Sequence, residues 1–280
     1  MKKTIDIVTN DSYSLSATHY YNPDNCSKDL LIYLHGGGLI FGEREDLPEP
    51  YLDLLTKEGY SILALDYLLA PESKIDTICQ SLVETIQWYT EEGFNALQRG
   101  EPNFYLFGRS AGAYLAFYLS TVIDSKFLKG IISFYGYYTL QDPYFTFPNP
   151  HFQQTQKVSS QIVDSLIQDT PVTKGTANER YLIYLYARQE GKWLDFLTQN
   201  TSQASHYSLE KKQIENLPPT FLVHCNNDPD VPARQSKYLA NTASKSHFIE
   251  LEGDVHDFDR LDIAKGTTVY QELLKWLAGK

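Results

Sequence analysis

Six short apolar runs, separated by helical patterns, set the tightest limit on how this chain of 280 residues can fold. They cover residues 29–34, 61–66, 103–107, 130–135, 220–224 and 247–251. Runs this short and apolar, bounded by Gly, Pro or Asn, read as strands buried on both faces. Between them lie helical patterns. Residues 75–89 place Ile75, Ile78, Cys79, Leu82, Val83, Ile86 and Tyr89 at the spacing of one helix face. Residues 111–122, 232–241 and 268–277 follow the third, fifth and sixth runs. Such alternation predicts a mostly parallel sheet wrapped by helices, an α/β fold. Ahead of it, residues 4–8 and 13–20 read as a hairpin around Thr9-Asn10-Asp11.

One stretch breaks the rhythm. Residues 137–217 contain no convincing strand. They open on Asp142-Pro143, Phe147-Pro148 and Asn149-Pro150, which is turn chemistry. Helical patterns follow at 160–168 and 178–196, the second rich in aromatics: Tyr181, Tyr184, Tyr186, Trp193 and Phe196. So long a gap between two core strands exceeds ordinary loop lengths. The expected organisation is a core of residues 1–136 and 218–280 with a mainly helical cap, 137–217, inserted between two late strands.

Charge and cysteines exclude several functions. The formal net charge is −11, and the longest basic runs are pairs such as Lys2-Lys3. Nucleic-acid binding, which rests on clustered Lys and Arg, is not expected. Cys26, Cys79 and Cys225 form no CxxC pair, so neither a zinc ribbon nor a redox motif is expected. Three unrelated thiols suit a reducing compartment. The residues after Met1-Lys2-Lys3 are too polar for a signal-peptide core, and no run is long enough for a membrane span. A cytoplasmic protein is the expectation.

The strongest chemical motif is Gly108-Arg109-Ser110-Ala111-Gly112. It has the G-x-S-x-G form, with a buried-strand pattern directly before it and a helix pattern directly after. A serine on that sharp turn is a candidate nucleophile, and the helix N-terminus beneath it favours negative charge. A second motif, His35-Gly36-Gly37-Gly38 with Gly42, follows the first run. Backbone N–H groups of a triple glycine can approach an incoming carbonyl with no side chain in the way, as an oxyanion requires. His35 itself reads as a structural hydrogen-bonding residue.

A base is expected late in the chain. His256 lies in the loop 252–258, after the last run, whereas His224 and His247 lie within strand patterns and read as satisfied core residues. His19 falls in the hairpin, and His151 and His206 in the inserted stretch. Two carboxylates follow the fifth run. Asp228 precedes a proline that stiffens the turn, and Asp230 could instead cap the next helix. Asp228 is the preferred third member and Asp230 the alternative. The order Ser, Asp, His is that of α/β-hydrolases.

These motifs resemble the esterase/lipase branch of the α/β-hydrolase fold related to hormone-sensitive lipase, and the whole chain looks most like small bacterial α/β-hydrolases. Asp66-Tyr67-Leu68-Leu69-Ala70-Pro71-Glu72 is similar to the branch's D-Y-R-L-A-P-E segment, and the likeness runs from residue 30 to about 258. The resemblance implies a serine hydrolase cleaving carboxylic esters through an acyl-enzyme, without metal or organic cofactor. It implies oxyanion donors from the N–H groups of Gly37, Gly38 and Ala111. The implied partner is a small-molecule ester, and pairing of two copies is known in the branch. The same triad also serves an amidase or peptidase, and some relatives keep the fold as non-catalytic binding modules. The chain departs from the branch at Leu68 (usually arginine), at Arg109 (usually acidic), in the segment 228–232, and in carrying its extra residues at 137–217 instead of in an N-terminal cap.

Overall fold

A computed structural model describes residues 1–9, 13–200 and 202–279. All six apolar runs are strands: β3 (Leu30–Leu34), β4 (Ser61–Leu65), β5 (Phe104–Arg109), β6 (Leu128–Phe134), β7 (Thr220–Cys225) and β8 (Ser246–Leu251). The hairpin pairs β1 (Lys2–Thr9) with β2 (Ser14–Tyr20) antiparallel. Its expected turn lies mostly outside the described residues. The eight strands form one sheet in the order β1-β2-β4-β3-β5-β6-β7-β8. From β4 to β8 every pairing is parallel, and β2 joins β4 antiparallel.

Alternation along the strands splits the core into two layers. In β3, Leu30, Ile32 and Leu34 face one layer, and Leu31 and Tyr33 face the other. The helices Ile75–Trp88 and Ala111–Val122 cover the first face. The second face packs on the helices Glu49–Lys57 and Ile263–Ala278 through Tyr51, Leu55, Val269, Tyr270 and Leu273. The first of that pair went unseen in the sequence because Pro48 and Pro50 look like breakers. Both stand at its start, where a missing N–H costs nothing.

Three expectations need correction. The sixth run is not buried on both faces: β8 is the sheet edge, and His247 is exposed instead of lying in the core. An edge strand carries polar residues such as Ser246 and Glu250 where a central strand could not. The helix expected from 232 begins at Arg234, and the last begins at Ile263 instead of 268. The pattern at 178–196 is two helices, Ala177–Glu190 and Trp193–Leu197, separated at Gly191, whose φ of 67° ends the first.

Between β6 and β7 the chain forms seven helices among the described residues, most of a single turn. Asp142-Pro143 and Asn149-Pro150, read as turns, each start one of them: Asp142 and Asn149 accept hydrogen bonds from the N–H groups of Tyr144 and His151. This inserted segment meets the core at two isolated bridges, Gly42 with Gly175 and Leu69 with Val172. Among the described residues no helix is long and apolar enough to cross a membrane.

Candidate active site

β5 runs straight into Ser110, whose φ of 53° and ψ of −119° turn the chain sharply into the helix Ala111–Val122. Such a conformation is costly for a side-chain-bearing residue and persists only where its surroundings enforce it. The enforcement is steric. A Cβ on Gly112 would lie 2.0 Å from the Leu34 carbonyl oxygen, so only glycine lets the helix sit this close to β3. The Ser110 N–H donates to the Phe134 carbonyl at 2.9 Å.

Three residues from separate elements converge on this turn. Ser110 Oγ lies 2.8 Å from His256 Nε2, and His256 Nδ1 lies 2.6 Å from Asp228 Oδ2. In the neutral ring, Nδ1–H donates to the carboxylate and Nε2 accepts from the hydroxyl. Asp228 is saturated with donors. Its Oδ1 accepts from the N–H groups of Asp230 (2.8 Å) and Val231 (2.9 Å), and its Oδ2 also accepts from His224 Nε2 at 3.0 Å. Burial alone would raise the Asp228 pKa, but the charge on His256 and the hydrogen bonds from both histidines hold it well below the usual carboxylate range. Burial alone would likewise keep His256 neutral, but the Asp228 carboxylate outweighs it. Aided by Asp230 and Asp257, it raises His256 to about 9.

Asp230 does not reach His256 as a hydrogen-bond partner, nor does it cap a helix. It accepts from the Tyr184 hydroxyl at 2.6 Å and pairs with the buried Arg188, both on the inserted helix Ala177–Glu190.

The glycine loop is held from behind. The Gly36 carbonyl accepts from His35 Nδ1 (2.7 Å), and the Tyr67 hydroxyl donates to the neighbouring His35 carbonyl (2.9 Å). The Gly37 carbonyl accepts from the N–H groups of Ile40 and Phe41, both at 3.0 Å. A trans peptide is planar, with its N–H opposite its carbonyl. The Gly37 and Gly38 N–H groups therefore point away from these anchors, and both residues line the same cavity as Ser110 and His256. Gly37 has φ 101°, and a Cβ there would meet the Phe41 carbonyl oxygen at 1.9 Å. Ala111 opens its helix, so its N–H has no partner within the helix. His35 stacks on Tyr67 with ring centroids 4.1 Å apart, a structural role as expected.

The cavity holds about 620 Å³. Phe41 lines it from the core side, and Phe152, Tyr181 and Tyr184 from the inserted segment. Of the other aromatics noted in the sequence, Trp193 is buried and donates to the Gly38 carbonyl at 2.8 Å, and Tyr186 stacks on Phe196.

Two features at the site were missed in the sequence. His224 was read as a plain core histidine, yet it contacts Asp228; its position four residues before that aspartate, at the strand end, was the available signal. Arg109 was noted only as a departure. Its buried guanidinium donates to Tyr135 Oη (2.7 Å) and Asp259 Oδ1 (2.8 Å), joining the residue before Ser110 to the short helix Phe258–Leu261 that follows His256. No local pattern announces a pairing across 150 positions.

A family model described as alpha/beta hydrolase fold matches residues 31–260. The chain belongs to this family. Its resemblance to the branch related to hormone-sensitive lipase stands with that match. A Staphylococcus aureus Mu50 protein of unknown function is 32% identical, with a TM-score of 0.86 over 99% of this chain and 98% of that one. An α/β-hydrolase superfamily protein from Enterococcus faecalis is 31% identical, with a TM-score of 0.87 over 100% and 99%. An acetyl esterase of Salmonella typhi is 30% identical over 137 residues, 46% of this chain and 42% of that protein. The chain thus aligns with less than half the length of this curated relative.

Proposed function

We propose that this protein hydrolyses carboxylic esters through an acyl-enzyme on Ser110. One observation carries the reading: a serine hydroxyl on a strained turn faces a cavity, 2.8 Å from an imidazole whose other nitrogen meets a buried carboxylate. Ser110 Oγ attacks the ester carbonyl carbon while His256 Nε2 takes its proton. The N–H groups of Gly37, Gly38 and Ala111 receive the developing oxyanion. The imidazolium then protonates the departing alcohol. In the second half His256 takes a proton from water, whose oxygen attacks the acyl carbon; the imidazolium then returns that proton to Ser110 Oγ as the acid leaves. Asp228 fixes the imidazole tautomer and stabilises the imidazolium.

The acetyl esterase relatives support an ester as the bond cleaved. We read residues 137–217 as a cap whose Phe152, Tyr181 and Tyr184 form an apolar wall for the acyl or alcohol group. The thiols Cys26, Cys79 and Cys225 are free, which fits a cytoplasmic setting.

The test is fluorophosphonate labelling of the wild type beside Ser110→Ala, followed by p-nitrophenyl esters from acetate to laurate. Labelling that disappears in the variant, with turnover of at least one ester, is expected. Neither labelling nor turnover in the wild type would overturn the proposal.

A further inference from the structure

His224 sits at the end of β7, wholly buried, with both ring nitrogens engaged. Nδ1 is 2.8 Å from the Ser236 hydroxyl. Nε2 is 3.0 Å from the Val231 carbonyl and 3.0 Å from Asp228 Oδ2. An ionised carboxylate and a carbonyl can only accept, so Nε2 carries the proton. The Ser236 hydroxyl faces Nδ1 and also lies 3.4 Å from the Gly136 carbonyl. Ser236 and the Val231 carbonyl alone would satisfy a buried histidine. The third contact falls on the same carboxylate oxygen that receives His256.

We propose that His224 is a positioning residue for ester hydrolysis, acting through Asp228 by sharing the oxygen that binds His256. The inference rests on the assignment of Ser110, His256 and Asp228 above. Its physical content is twofold. The His224 N–H fixes the direction of Oδ2, and through it the plane of the His256 imidazole. It also withdraws charge from that oxygen, so Asp228 grips the imidazolium less tightly than a carboxylate with one fewer donor would.

The other groups facing His256 leave this contribution separable. Asp230 comes from the same turn as Asp228, Asp257 from its own loop, Tyr135 packs its ring 4.6 Å away from the end of β6, and Ser110 sits at Nε2. None of these is a hydrogen-bond partner of His224; its ring bonds Asp228, the Val231 carbonyl and Ser236.

The test measures pH–rate profiles for the wild type, His224→Leu, His224→Gln and Ser236→Ala on one p-nitrophenyl ester. In His224→Leu, kcat is expected to fall about tenfold with KM little changed, the size expected for one hydrogen bond to a charged acceptor. Its acid limb should move to higher pH, because the freed carboxylate holds the imidazolium more firmly. His224→Gln, which can donate to Asp228 and accept from Ser236, should recover most of the rate and the original limb. Ser236→Ala keeps the ring but removes its contact at Nδ1, and should shift the limb less in the same direction. If His224→Leu does not fold, the glutamine and alanine variants carry the test alone. An unshifted limb in every folded variant would overturn the proposal, as would a rate loss that glutamine fails to recover. Failure of the underlying assignment looks different, because the wild type itself would then show neither labelling nor turnover.

Discussion

The turn at Ser110 and the inserted helix Ala177–Glu190 form two sides of one cavity, and they are held by different forces. The turn is fixed by backbone contacts with neighbouring strands: the Gly112 backbone lies against Leu34 in β3, and the Ser110 N–H donates to the Phe134 carbonyl at the end of β6. The helix is fixed by two buried arginines reaching far along the chain. Arg180 makes a two-pronged pair with Glu72 at 2.9 and 2.6 Å and donates to the carbonyls of Ile40 (2.7 Å) and Ala70 (2.9 Å). Arg188 pairs with Asp230 and lies over the rings of Phe145, Phe152 and Tyr184. The turn's own contacts are made by backbone, although the buried Arg109–Asp259 pair ties it to the segment after His256. Buried ion pairs can join distant segments, but each strands a charge when one partner is lost.

Substitutions on the two sides should therefore fail in different ways. Ser110→Ala is expected to lower kcat by about 10⁵-fold or more while thermal melting stays nearly unchanged. A large loss of stability there would break the contrast. Asp228→Asn should lower kcat by about 10⁴-fold through the wrong imidazole tautomer, and Asp230→Asn far less. The reverse ranking in steady-state kinetics would move the acid to Asp230. On the other side, Arg180→Met leaves Glu72 buried without its partner and should destabilise by about 3–5 kcal/mol in urea unfolding. The double variant Arg180→Met/Glu72→Leu should regain most of that, and failure to do so would mean that the carbonyl contacts dominate.

The pH response sharpens the kinetic side. With His256 held at about 9, only a minority of molecules carry a neutral base at pH 7. If the neutral ring is the base as proposed, kcat/KM should climb about fiftyfold from pH 7 to 9 and approach about a hundredfold on the plateau above. A plateau already reached at pH 7 would contradict the raised value. Stability runs the opposite way. The pKa is raised from 6.5 to about 9, so this group's contribution is complete below 6.5 and is lost as pH rises through 9.

The same contrast decides what the sequence could reveal. Gly108–Gly112 and His35–Gly38 were legible because their residue types stand together in short motifs, and the strands because burial on both faces leaves near-continuous apolar runs. His256 was legible from its loop, and Asp228 from its place after β7. The partners of Arg109, Arg180 and Arg188 were not, since a charged residue carries no mark of which distant carboxylate it will meet. β8 was mistaken for a central strand because Phe248, Ile249 and Leu251 repeat the apolar signal, while its edge position depends on strand order.

The attachment of the inserted helix bears on how substrates arrive. Arg180 and Arg188 anchor it eight positions apart, the two isolated bridges hold the chain just before it, and Trp193 bonds the glycine loop just after. A segment fastened at so many points is expected to behave as masonry, not as a door. Enzymes that swing a lid open on oil droplets jump in rate once their substrate exceeds its solubility. Tributyrin titrated through that limit should give this protein a smooth saturation curve with no break, and a sharp upturn at the limit would show that the helix lifts.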